Sequence, residues 1–173
     1  MRRSARIALA LAVPALLAAG YLAWAAWPSG GTPVLLATRP VDPPDPLRGD
    51  YVDIAYDIGT LRGASGLQAG DTVFVVLRPG GEREPGSGEP YWQVDRWSRQ
   101  RPSVQDGEAC LRGKVQGASG DSASVRYGIE SYFVAKDERF EDWRGKHVSV
   151  LATVRGCTAR IDHLRLDGER WDG

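Results

Sequence analysis

The chain is expected to be a mainly β protein, with an N-terminal transmembrane helix followed by a small antiparallel β-sandwich or barrel-like domain carrying one short helix. Three features predict this. Ile7 to Trp27 is 21 residues without a charge. About eight short β-patterned segments follow, separated by turn-forming residues at regular spacing. Strands do not alternate with long amphipathic helices, as a parallel sheet would require, and no internal repeat is visible.

With 173 residues the chain fits one ordinary domain plus a targeting segment. It is 42% hydrophobic and 25% charged, a globular composition. A domain of this size buries roughly 68% of its unfolded surface and holds together without a metal or a dense disulfide framework. The formal net charge is zero, but Arg2, Arg3 and Arg6 precede the apolar stretch. That leaves 19 basic residues against 22 acidic in the remainder. No basic stripe is present to neutralise phosphates, so nucleic acid is not an expected partner.

Residues 1–6 read as a basic cytoplasmic tail and 7–27 as a transmembrane helix or signal anchor. At ~1.5 Å per residue, Ile7 to Trp27 matches the thickness of the hydrocarbon core. The leading arginines keep that end inside, and Tyr21, Trp24 and Trp27 cluster at the far end, where aromatic rings favour the interface. The rival is a cleaved signal peptide, with Ala23-Trp24-Ala25 as its cleavage site. The apolar run is long for that, which favours the uncleaved anchor. Either way the rest of the chain is expected outside the cytoplasm: a bacterial inner-membrane protein, single-pass, N-terminus inside.

Residues 28–33 are a linker of Pro, Ser, Gly and Thr, and 34–173 form the extracytoplasmic domain. Val34–Val41 is a first strand, ended by the prolines of 43–46. Asp50–Ile58 alternates with period two, placing Val52, Ile54, Tyr56 and Ile58 on one face of a half-buried strand. Gly59–Gly70 is a glycine-rich connection. Thr72–Arg78 and Tyr91–Ser98 are strands joined by the polar, flexible loop PGGEREPGSGEP. Cys110–Gln116 and Ala123–Tyr127 form a hairpin, Asp137–Arg144 the short helix, and Lys146–Arg155 and Thr158–Leu166 a closing hairpin around Gly156.

The most distinctive segment is Gly49-Asp50-Tyr51-Val52-Asp53-Ile54-Ala55-Tyr56. It resembles the signature of the uncharacterised bacterial GDYXXLXY family, with Ile54 at the leucine position. Tyr127-Gly128-Ile129-Glu130-Ser131-Tyr132-Phe133 is similar to the family's second block, and Leu164-Arg165-Leu166-Asp167-Gly168 to its terminal strand. Where that second block normally continues into a Pro-Glu-Gly turn, this chain has Ala135-Lys136-Asp137. The resemblance implies a one-helix membrane protein of unknown function, often encoded beside polytopic membrane proteins. It carries over no catalytic residue. From the residues themselves, Gly49-Asp50 reads as a turn at the start of a strand. Glu130, in an apolar stretch, needs Arg48 or Arg126 as a partner.

Cys110 and Cys157 both fall in expected strands of an exported domain. An oxidising compartment allows a bridge between them worth roughly 4 kcal/mol by loop entropy, the alternative being two buried thiols. His147 and His163 share no ligand spacing with each other or with the cysteines, so no metal is expected. No cofactor is expected either: Gly117–Gly120 lacks the spacing and context of a phosphate loop.

Two functional readings follow. In the first, the domain is a non-enzymatic binding or accessory module working with other membrane proteins, with Tyr91, Trp92, Trp97, Tyr132, Phe133 and Trp143 as possible anchors. In the second, it is a membrane-tethered hydrolase, because Leu47 to Val52 is similar to the Gly-Asp strand of the signal-peptidase scaffold. That chemistry needs a serine upstream and a desolvated lysine. Thr38–Asp42 contains no serine, and the only lysines are Lys114, Lys136 and Lys146. The oligomeric state is not written in the sequence.

Overall fold

The computed structural model describes residues 30–39, 51–133 and 145–171. Residues Gly31–Gly173 form one compact unit. The anchor residues Ile7, Tyr21, Trp24 and Trp27 lie outside the described residues, as do the motif's Gly49 and Asp50 and the expected helix 137–144. Among the described residues no helix is long and apolar enough to cross a membrane.

The architecture is mainly β, antiparallel and barrel-like. Thr32–Ala37 (β1) pairs with Val148–Arg155 (β9), which continues through Thr158–Leu166 (β10) to Glu169–Arg170 (β11) as a four-stranded sheet. A five-stranded sheet runs in the order Thr60–Arg62 (β3), Ser122–Arg126 (β7), Ala109–Ser119 (β6), Thr72–Arg83 (β4) and Pro90–Ser98 (β5). Tyr51–Asp53 (β2) and Ser131–Phe133 (β8) make a two-stranded ribbon. Every pairing is antiparallel.

Backbone bonds between the sheets nearly close the barrel. The Arg112 amide donates to the Cys157 carbonyl at 2.8 Å, and Arg39 N to Ala55 O at 2.8 Å, beside a bridge between Thr38 and Tyr56. These bonds satisfy edge groups that would otherwise be open to pairing with another chain. Inside lies one apolar core drawn from every sheet, including Val34, Leu36, Val52, Leu61, Val75, Leu111, Val150 and Leu164.

Three expected elements change. The nine-residue strand 50–58 contracts to β2, followed by an irregular stretch and a 3-10 turn at Asp57–Gly59. Its burial alternation nevertheless holds: Val52, Ile54, Tyr56 and Ile58 are all buried, and Asp53, Ala55 and Asp57 are exposed. The physical reason is a change of partner. The chain leaves β8 after Asp53 and meets the end of β1 at Thr38, so no single strand runs beside it throughout. The glycine-rich connection, in turn, contains β3.

The supposedly flexible loop after Arg78 is the far end of β4, which runs to Arg83 before a tight tip at 84–89. That tip is fixed by Glu84, whose side chain is 1% exposed. Its carboxylate accepts from Ser149 Oγ, from Ser87 Oγ at 2.6 Å and from Arg165 Nη1 at 3.0 Å. Gly86 has φ +92°, and a Cβ there would lie 1.9 Å from the Asp167 carbonyl oxygen. Only glycine allows so close an approach.

Candidate functional site

The two blocks of the sequence signature are far apart in the chain and meet in the fold. Tyr51 pairs with Phe133, Val52 with Tyr132 and Asp53 with Ser131. Beyond the ribbon, Ile54 N donates to Glu130 O at 2.6 Å. Two tyrosines then complete the junction reciprocally. Tyr56 Oη, in the first block, donates to Ile129 O at 2.6 Å. Tyr127 Oη, in the second, donates to Ile58 O at 2.6 Å. Each ring fills apolar space while its hydroxyl satisfies a carbonyl left open where the strands end.

Burial pushes both phenols well above their ordinary range, and the nearby Glu130 carboxylate adds to the shift. They are neutral donors across the physiological range. Glu130 turns its carboxylate back on its own loop, accepting from Tyr127 N and, at 2.9 Å, from Gly128 N. Arg126 stands 3.7 Å away; of the two expected partners it is the one the described residues contain. Gly128 has φ +84°, which lets the loop fold around that carboxylate. Ile129 is buried in the core, and Tyr132 packs against it. Phe133 is 54% exposed.

This junction places the polar groups of Tyr56, Tyr127 and Glu130 on internal bonds. A family model, that of the GDYXXLXY protein, matches residues 13–157. The chain belongs to this family. No curated protein and no solved structure matches it. In this GDYXXLXY protein the signature is the lock between two chain segments: Ile54 takes the leucine position as a buried core residue, and Tyr56 closes the contact.

Cys110 and Cys157 are joined in a disulfide, with Cα atoms 4.6 Å apart. The bridge ties β6 to the turn between β9 and β10, beside the Arg112–Cys157 backbone bond, so it staples the seam between the two larger sheets. His147 is exposed at the start of the closing hairpin, and His163 lies on β10. Among the described residues no group of three or more His, Cys, Asp or Glu is placed to hold a metal.

The expected aromatic anchors go mostly to the core. Tyr91 is buried, and Trp92, Trp97 and Tyr132 pack against the apolar cluster. Trp143 lies outside the described residues.

Two buried acids have no signal in the sequence. Glu84 looks like loop polarity until its partner Arg165, 81 positions away, is known. Glu108 precedes β6, and its side chain is 1% exposed. It accepts from Arg96 at 2.7 and 2.9 Å, from Gln105 N at 2.9 Å, and from Arg78. The Arg96 guanidinium, then the Gln105 amide and Arg78, hold its carboxyl well below the usual carboxylate range. Both acids are fully partnered ions that fix strand ends, an arrangement that suits a scaffold.

Proposed function

We propose that this GDYXXLXY protein is a single-pass bacterial envelope protein, N-terminus inside. Its β domain works outside the cytoplasm as a non-enzymatic binding or accessory module for a polytopic membrane protein. The observation that carries the reading is the junction of Tyr56 with Ile129 and Tyr127 with Ile58. Tyr56, Tyr127 and Glu130 hold the scaffold together and keep their polar atoms occupied, which favours a presenting domain over a reacting one. The uncharged stretch 7–27, with arginines on one side and aromatic rings on the other, supports the anchor.

Two experiments on the full chain test this. With a C-terminal tag, added protease should remove the tag from spheroplasts while a cytosolic marker survives; a protected tag would refute the topology. Cross-linking in intact cells followed by mass spectrometry should recover a polytopic membrane protein. If no membrane neighbour is captured, the module reading fails.

A further inference from the structure

Three cations share one outer patch of the five-stranded sheet. Arg112 and Lys114 lie two apart on β6, both exposed on the same face. Lys114 is directly opposite Arg126 on β7 in the strand register. Like charges directly opposite each other are destabilising in a sheet. Arg126 has Glu130 at 3.7 Å, but among the described residues no acid pairs with Arg112 or Lys114. The nearby Asp71 carboxylate is engaged by Arg99 at 3.6 Å.

The backbone explains why a hollow lies there. β7 pairs with β6 as far as Arg126 and Lys114 and then leaves it, while the next partner of β6, the Cys157 carbonyl, takes up Arg112 N. Where β7 departs from β6 the sheet surface opens into a hollow of about 250 Å³. Arg112, Lys114 and Arg126 line it, with Thr72 and Tyr127. A tetrahedral phosphate fits this volume, and the lining offers two guanidiniums and an ammonium as donors.

We propose that this seam is a binding site for a phosphate-bearing anion, held by Arg112, Lys114 and Arg126. The anion relieves the Lys114–Arg126 repulsion and supplies the counter-charge that Arg112 and Lys114 lack among the described residues. The same chemistry is offered by a free phosphate ester and by the headgroup of an anionic phospholipid. The site does not depend on the partner protein proposed above.

Lysine footprinting of the full chain tests it, because Lys114 has Lys146 as an exposed internal reference. The protein is placed in nanodiscs of phosphatidylcholine alone and acetylated with a small acylating reagent. Inorganic phosphate, compared with chloride at equal ionic strength, should slow modification of Lys114 about five- to tenfold relative to Lys146 at concentrations several times the dissociation constant. A second arm omits phosphate and adds phosphatidylglycerol to the nanodisc. Protection by phosphate alone assigns a soluble ligand, and protection by phosphatidylglycerol assigns a headgroup; either supports the site. Arg112→Gln should abolish the protection, measured against that variant's own Lys114 rate without phosphate. A Lys114-to-Lys146 rate ratio unchanged by phosphate and by phosphatidylglycerol, or protection that survives Arg112→Gln, would overturn the proposal.

Discussion

The motif junction and the hairpin tip both hold distant stretches of chain together, but with opposite electrostatics. At the junction, Tyr56 and Tyr127 donate neutral hydroxyls to the carbonyls of Ile129 and Ile58. At the tip, the Glu84 carboxylate takes Arg165, Ser149 and Ser87, and Arg165 reaches Glu89 as well at 2.9 Å. Neutral donors in an apolar setting lose little desolvation energy on burial and ignore pH until the phenol ionises. A buried ion depends wholly on its partners. The two motif blocks carry the first kind of clasp, while the second joins Glu84 to Arg165 in the closing Leu164–Gly168 segment.

The largest expected effect comes from breaking the ionic clasp on one side only. Glu84→Ala leaves Arg165 at 14% exposure with Glu89 as its remaining acid, and should cost on the order of 3 kcal/mol in urea unfolding. Adding Arg165→Leu to Glu84→Ala should recover part of that loss, because no uncompensated charge then remains. A further loss in the double variant would show that the clasp stabilises by more than mutual compensation.

Next in size is Tyr56→Phe, which keeps the ring and leaves Ile129 O without its donor, at about 2 kcal/mol. Tyr127→Phe, at a partly buried position, should cost about 1 kcal/mol. If Tyr56→Phe unfolded at the wild-type urea midpoint, the hydroxyl would have no part in the lock.

The smallest effects are those of pH, and they have opposite signs at the two kinds of site. Both phenols have pKa values raised on folding, so the stability they contribute is complete below about pH 10, the unfolded value, and is lost as pH climbs beyond it. In an alkaline titration Tyr56 and Tyr127 should show tyrosinate absorbance only as the protein unfolds. Glu108 has a depressed value, so its contribution is present above about pH 4.3 and fades as acid protonates it. Glu108→Gln should therefore flatten the acid limb of the stability profile, lower the neutral and alkaline part by a constant amount, and leave the alkaline slope unchanged. A changed alkaline slope would show that Glu108 and the two phenols are coupled.

The same contrast explains what was legible in the sequence. The buried set Val52, Ile54, Tyr56 and Ile58 could be read from period-two alternation, because burial follows the side-chain face even where the strand itself breaks off. The hairpins 72–98 and 148–166 were legible from apolar runs and turn residues. The break after Asp53 was not, since it arises from a change of strand partner, a long-range choice that leaves no local mark. Glu84 and Glu108 were hidden for a related reason: polarity reads as solvent exposure until an arginine far along the chain is brought alongside. The meeting of the two motif blocks likewise needed the fold, although both blocks were visible as sequence.

The pairing of β1 with β9 also sets the order in which this domain can form. Thr38 Oγ1 bonds the carbonyl of Val148, 110 positions later, at 2.6 Å, and Val34, Leu35 and Leu36 become fully covered only once that late strand is present. As the polypeptide emerges from the ribosome, this greasy stretch must wait for nearly all the rest before it finds its neighbour. Contacts so distant in the chain make for slow folding.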